Sequence, residues 1–537
     1  MENGIQTVES GGTAENTTIN KGGEQYVESG GTAENTTLNK GGKQYVSGTA
    51  TDTTINNGGW QTVYGTATDT TIYAGGTLQV WAGGNATGVK QKEGAALIAT
   101  TTTSTVVKGQ NKNGEFSIEN GQADNVLLEN GGLLTVVYGT TANNTTIRDG
   151  GTLEVRAGGK ATGVDQRDGA ALFTTTATGT VVKGQNENGA FFIENGQADN
   201  VLLENGGALT VWYGTTANKT TINKGGEQYV YGTATGTTIY DGGTLEVRAG
   251  GKATGVKQKD GAALIATTAT GTVVKGQYEN GAAFFIENGQ ADNVLLENGG
   301  ALTVVDGTTA DRTTIRDGGE LIVNKGGTTL NTGIESGGLQ TVESGGTATD
   351  TTIYDGGTLE VWSGGNATGV KQKEGAALIA TTATDTVVKG QYENGAAFFI
   401  ENGQADNVLL ENGGRLTVVD GTTATGTTVS KSGMQTVYAG GKAEDTIINE
   451  GGLMLNAGED SGTTVKDGGV YELGRYNAGS TDYPYYLYYG TAGASDLTVE
   501  AGGRATVYAG TLTGATVSGA NASLTLMTPQ TETYDSD

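Results

Sequence analysis

The residues best placed to do chemistry in this chain are hydrogen-bonding side chains, and they return at a fixed place. Just before a Thr-Thr pair stand Asn16, Asn35, Asp52 and Asp69, and further along Asn144, Lys219, Gly236, Arg312 and Asp350. Chemical variety at one fixed place marks a column that faces solvent. It reads in two ways: as a strip of an adhesive face that hydrogen-bonds a second molecule, or as turn residues at a corner. The position after a glycine pair holds Glu24, Lys43 and Trp60 in succession. Those charges either pair within the molecule, for at most about 1 kcal/mol when exposed, or set register between molecules. Near the end, residues 471–489 carry Tyr471, Tyr476, Tyr483, Tyr485, Tyr486, Tyr488 and Tyr489. A rigid ring with a hydroxyl suits a sugar or a protein surface, so the last six are candidates for ligand contact. The alternative is a hairpin that packs its rings against the flank and binds nothing.

Bond-making chemistry has little to work with. The chain has no histidine and no cysteine. That removes the usual general base near neutral pH, the thiolate nucleophile and the commonest transition-metal ligands. Asp52 and Asp69 stack like charges that a cation would relieve, yet no GGxGxD run of a calcium-binding repeat is present. We expect no catalytic, cofactor-binding or metal-binding residues and no enzyme activity. A net charge of −27, from 31 basic and 58 acidic residues, disfavours nucleic acid as a partner. No apolar run reaches the roughly 18–20 residues that span a bilayer, so no membrane insertion of this segment is expected.

A repeat positions these side chains. Text beginning GGEQYV at Gly22 returns at Gly41, 19 residues on, and then at Gly58 and Gly75, 17 residues apart. Glycine pairs at corners with Val, Ile, Leu and Thr between them are the mark of a stacked β-solenoid. Ninety-five glycines and two prolines fit a chain that turns constantly without breaking strands. Aligned repeats give columns: Val27, Val46, Val63 and Val80; Ile19, Leu38, Ile55 and Ile72; Ala14, Ala33, Ala50 and Ala67. Alternation along a strand puts Gln25, Gln44, Gln61 and Leu78 on the inner face with the valines, and Tyr26, Tyr45, Thr62 and Gln79 outside. The fold class is all-β: an elongated, right-handed parallel β-helix of about 19 residues per rung, with about 28 rungs and a length on the order of 130 Å.

Four copies of a longer motif interrupt the simple rungs, at 94–132, 169–207, 261–300 and 375–414. Their apolar content makes them the best-filled core segments. The extra alanine of the last two copies falls where a loop is expected. Rungs occupy 1–470, a tyrosine-rich insertion 471–491, final rungs 492–527 and a polar tail 528–537. The start, MENGIQTVESGG, has no basic or apolar leader and reads as mid-repeat, as in a fragment.

The phrases GGEQYV, TAENTTIN, ADNVLLENGG and GGTLEV resemble the passenger domains of self-associating autotransporter adhesins, of the antigen 43 and diffuse-adherence adhesin type. The resemblance covers most of residues 1–470. It implies an extracellular passenger displayed at the cell surface, secretion through an outer membrane, and aggregation or biofilm formation through polar ladders. It also implies homotypic binding to neighbouring cells, contact with a host surface glycan or protein, and modification by a glycosyltransferase. The rival readings are a carbohydrate-active β-helix enzyme or tailspike, and a purely structural surface fibre.

Overall fold

The computed structural model describes residues 1–477 and 486–528. The chain divides into two units, Met1–Ala263 with Val273–Ala283, and Leu264–Thr272 with Phe284–Asp537. Each unit is built of stacked β rungs, about 27 turns in all at about 19 residues per rung, with no helix among the described residues.

A simple rung of the first unit has three strands. Glu24–Val27 is followed by a glycine corner, Thr32–Glu34, a second corner at Asn35, and Thr37–Leu38. Each strand pairs in parallel with its counterparts one rung away on either side. Gln25 lies beside Gln6 and Gln44, Ala33 beside Ala14 and Ala50, and Leu38 beside Ile19 and Ile55. Stacking like on like lets side chains of one size fill the interior while every rung satisfies the backbone of the next. The expected columns are the core: the valines, isoleucines and alanines named above are buried.

Gln25, Gln44 and Gln61 also point inward, fully buried. A buried amide is destabilising unless its hydrogen bonds are made, and here the rungs make them. Gln25 donates to Gln6, Gln44 to Gln25 and Gln61 to Gln44, each through Nε2 at 2.7 Å, before the column ends at Leu78. On the outer face Tyr26 and Tyr45 stack at 4.9 Å. Thr62 departs from expectation in being covered: the Trp60 indole N–H donates to its Oγ1 at 3.0 Å and shields it.

Rungs of the second unit follow the same plan. Ala301–Val304, Glu320–Val323, Leu339–Val342 and Thr358–Val361 pair in parallel, and buried Gln340 accepts from Thr351 and donates to Thr329.

The long motifs differ from the expected stack. In the first, Val106–Asn111 turns back into Gly114–Glu119, which turns again into Gln122–Asp124, with both pairings antiparallel. The second and fourth copies repeat this meander. In the fourth, Tyr392 and Ala396 close the hairpin turn by a backbone bond of 2.9 Å, which places the extra alanine in a loop as expected.

The meander also breaks a column of corner glycines. In ordinary rungs the N–H of Gly41 bonds the carbonyl of Gly58, Gly58 that of Gly75, and Gly75 that of Gly94. Gly94 has no such carbonyl and donates instead to Glu129 Oε1 at 2.7 Å. Gly169 does the same with Glu204 at 2.9 Å, and Gly375 with Glu411 at 2.7 Å. These glutamates are buried, so burial raises the carboxyls of Glu129 and Glu204 above the usual range, partly offset by the bonds they accept. Glu204→Ala should destabilise its rung by about 1–3 kcal/mol, because the Gly169 N–H loses its acceptor inside the protein. Glu204→Gln, which keeps an oxygen there, should lose less. Amide exchange at Gly169 that is unchanged in the alanine variant would show that the carboxylate is dispensable.

Candidate adhesive surfaces

Asn16, Asn35, Asp52 and Asp69 occupy one corner column, all exposed, with φ between 52° and 55°. This left-handed conformation favours Asn and Asp among residues with a side chain, so the backbone alone accounts for their type. The side chains remain free to act outward. Two of them also bond each other within the molecule, Asn35 Nδ2 donating to Asn16 Oδ1 at 2.6 Å. Lys219 and Arg312 adopt the same φ, 51° and 53°, so the corner tolerates cations. Arg312 uses its position to bind Asp292 on the neighbouring rung.

Glu24 and Lys43 pair within the molecule at 3.9 Å, both partly exposed, a contact that contributes little. Among the described residues no group of three or more His, Cys, Asp or Glu side chains could hold a metal.

The tyrosine cluster is only partly placed. Tyr483 and Tyr485 lie outside the described residues. Tyr476 and Tyr486 lie on an antiparallel pair, Arg475–Asn477 with Tyr486–Tyr488, and Tyr488 sits 6.4 Å from the Tyr508 ring at a tilted angle. Tyr488 and Tyr489 are half-buried. Tyr471 is corrected: it belongs to the rung strand Val470–Leu473, points inward and is fully buried, so the insertion begins after this strand.

Tyr471 belongs to a buried polar cluster. Asp460 takes the place that Ala443 and Ala494 hold on adjacent rungs. It accepts from Thr463 Oγ1 at 2.7 Å and Tyr471 Oη at 3.2 Å, while Asn456 donates to Tyr471 Oη at 3.1 Å. Burial pushes the Asp460 carboxyl up to about 7, against the lowering effect of those two hydroxyls, and Asp445 adds like-charge repulsion. The folded state therefore holds the proton more tightly than the unfolded chain does. Stability from this group is fully present below about pH 4 and falls as pH rises toward 7, by about 1.4 kcal/mol per pH unit at most. Unfolding at pH 5 and pH 8 should show these rungs weaker at pH 8, and Asp460→Asn should flatten the difference. An equal response in the variant would exclude Asp460 as its source.

One kind of exposed position has no counterpart among the expectations. Trp81, Trp212 and Trp362 each follow the last inward residue of a four-residue strand and stand roughly half exposed at the corner. Tyr64 stacks on Trp81 at 6.1 Å, and Tyr231 on Trp212 at 5.2 Å. The signal was there: the residue after an inward valine must face out.

Parallel rungs with polar exposed corners define a β-solenoid. The chain belongs to the family described as the adhesin of the bacterial autotransporter system, probable stalk, which matches residues 1–59, 108–170, 183–243, 275–376 and 389–469 in overlapping segments. It is 37% identical over 503 residues to the probable autotransporter YpjA of Escherichia coli, covering 83% of this chain and 30% of that one. It is 60% identical over 132 residues to the autotransporter CRAC of Citrobacter rodentium, 24% of this chain and 8% of that one. A solved hyper-glycosylated TibA fragment, the product of TibC catalysis, shares 28% identity over 70% of this chain and 98% of the fragment, with a TM-score of 0.19. The chain thus spans less than a third of the length of these two autotransporters. The family places it on the outer cell surface, and YpjA, CRAC and TibA among its relatives are named as autotransporters.

Proposed function

We propose that this chain mediates adhesion of the cell that displays it by binding copies of itself on neighbouring cells, leading to aggregation and biofilm, and that it catalyses no reaction. The observation that carries the reading is the exposed Asn16, Asn35, Asp52 and Asp69 column, where the backbone holds successive polar side chains in one orientation. Membership of an adhesin family supports it. Each exposed hydrogen bond contributes about 0.5–1.5 kcal/mol at best, and repetition over rungs makes the sum useful. The charge of −27 opposes contact, and salt screens that repulsion. A host surface glycan or protein is a further partner of the same kind of surface. Serine and threonine residues on exposed strands are substrates for a glycosyltransferase, as the glycosylated TibA fragment suggests by analogy.

Replacing the four residues by glycine keeps the positive φ without strain and removes only the side chains. Cells displaying that variant should aggregate weakly while its circular dichroism stays that of β-structure. Full-strength aggregation would show that this face is the wrong one. Abolition on deleting 476–489 instead would move the adhesive role to the tyrosine hairpin.

A further inference from the structure

The first meander borders an open cleft of about 650 Å³ whose wall includes Asp69, Lys90, Lys108, Gln110, Glu115 and Asp124. A smaller hollow of about 250 Å³ continues it, sharing Lys90 and Gln110 and adding Lys92 and the ion pair of Lys112 with Glu93. The strand Asn85–Gln91 turns Val89 and Gln91 into the core and Lys90 outward, and Lys92 follows on the same side. Opposite Val89 lies Gly109, where a Cβ would come within 2.1 Å of the Val89 carbonyl. The bare glycine keeps the floor of the cleft recessed, with buried Phe116 across the antiparallel pair.

The charges are divided. Lys108 is held by Glu119 at 2.8 Å. Lys90 and Lys92 make no ion pair among the described residues, on a chain whose net charge is −27. Two ammonium groups in a hollow call for an anion. The carboxylates of Asp69, Glu115 and Asp124 would repel a bare polyanion but accept hydrogen bonds from hydroxyls. We infer that this cleft binds an acidic saccharide, with a carboxylate on Lys90 and Lys92 and hydroxyls on Asp69, Gln110 and Asp124. Its volume falls within the range of small-ligand sites.

The other long motifs grade the site. At the fourth, a cleft of about 350 Å³ keeps Asp350, Lys371, Lys389 and Gln391. There Lys373 is tied to Glu393 at 3.2 Å and Lys389 to Glu401 at 2.7 Å, so Lys371 is the one lysine of the cleft without an ion pair, beside the carboxylate of Asp350. At the second, the residue in the place of Lys90 is Asp165, bound to Arg167 at 2.6 Å, and the anion has no partner. The first motif is therefore the principal site and the fourth a weaker one.

Titration calorimetry of the full chain with sialyllactose, tri-galacturonate, lactose and inorganic sulfate tests this. At least one acidic saccharide should bind, and lactose should bind about tenfold or more weakly. The double variant Lys90→Gln and Lys92→Gln, both at exposed positions, should lose about tenfold in affinity with its β spectrum intact. Lys371→Gln should remove only a weaker second phase. The inference is overturned if neither acidic saccharide binds, if the double variant binds as well as the unsubstituted chain, or if sulfate displaces the saccharide, which would mark a bare anion site. It is equally overturned if the double variant alters self-association while no saccharide binds, for the lysines would then serve a contact between copies.

Discussion

Gln44→Leu should weaken the first rungs by about 2–4 kcal/mol, although leucine suits a buried position better than an amide does. Gln44 donates to Gln25 Oε1 and accepts from Gln61 Nε2, both at 2.7 Å, and Thr53 Oγ1 reaches the same oxygen at 3.4 Å. Removing the middle amide leaves polar atoms of Gln25 and Gln61 under-bonded where no water reaches them, each a loss of about 1–3 kcal/mol. Replacing Gln25, Gln44 and Gln61 together by leucine should be milder than Gln44→Leu alone, because the column already continues as Leu78 and both partners of the two amide–amide bonds then go at once, leaving only the half-buried Gln6 and the flanking threonine hydroxyls to lose a partner. Amide exchange on Glu24–Val27 and Trp60–Val63 measures this. A triple variant that is weaker than the single one would mean that the ladder holds the rungs together by more than its own saturation.

Gly59→Ala should damage these rungs, as a methyl at several of their corner glycines would. A Cβ at Gly59 would lie 2.5 Å from the Leu38 carbonyl oxygen and 3.0 Å from Leu38 C and Cβ. The obstacle is the backbone of the next rung, so it yields only if the strand pairing between Thr37–Leu38 and Thr54–Ile55 opens. Overpacking of this kind typically destabilises by about 1–3 kcal/mol. Gly11→Asn is the control. Gly11 has φ of 78° with nothing near its missing Cβ, and asparagine tolerates that region. Limited proteolysis should cut the Gly59→Ala chain near this rung and spare the Gly11→Asn chain. Equal resistance would show that rungs shift apart more easily than the contacts suggest.

Much of the rung was legible because stacking forces like residues into register. Val27, Val46 and Val63 share a column for the same reason that Gln25, Gln44 and Gln61 do, and alternation then fixes which of them face inward. Tyr471 was legible too. Its neighbours Val470-Tyr471-Glu472-Leu473 match Leu453-Met454-Leu455-Asn456 residue for residue, but its nearness to other tyrosines outweighed the alternation. The meanders hid behind composition. VVKGQ and the following Phe-rich strand were read as core, while Asn113-Gly114 and Asn188-Gly189 between them are strong hairpin-turn signals. The roles of Glu129, Glu204 and Glu411 had no sequence signal, since an acidic residue beside a glycine pair reads as surface until the broken glycine column is seen. The candidate adhesive corner was found from its variety, whereas the half-exposed tryptophans and the cleft under the first hairpin needed three dimensions.

The glutamate that closes each broken column has a consequence for inheritance. A meander with its own carboxylate is a sealed cassette, satisfying the amide on the glycine it strands. A lineage can then copy or move such a cassette without first mutating the flanking turns, because the incoming piece carries its own repair. The hairpin that borders the cleft is thus a portable part, free to diverge in one copy while the repeat that supports it stays unchanged.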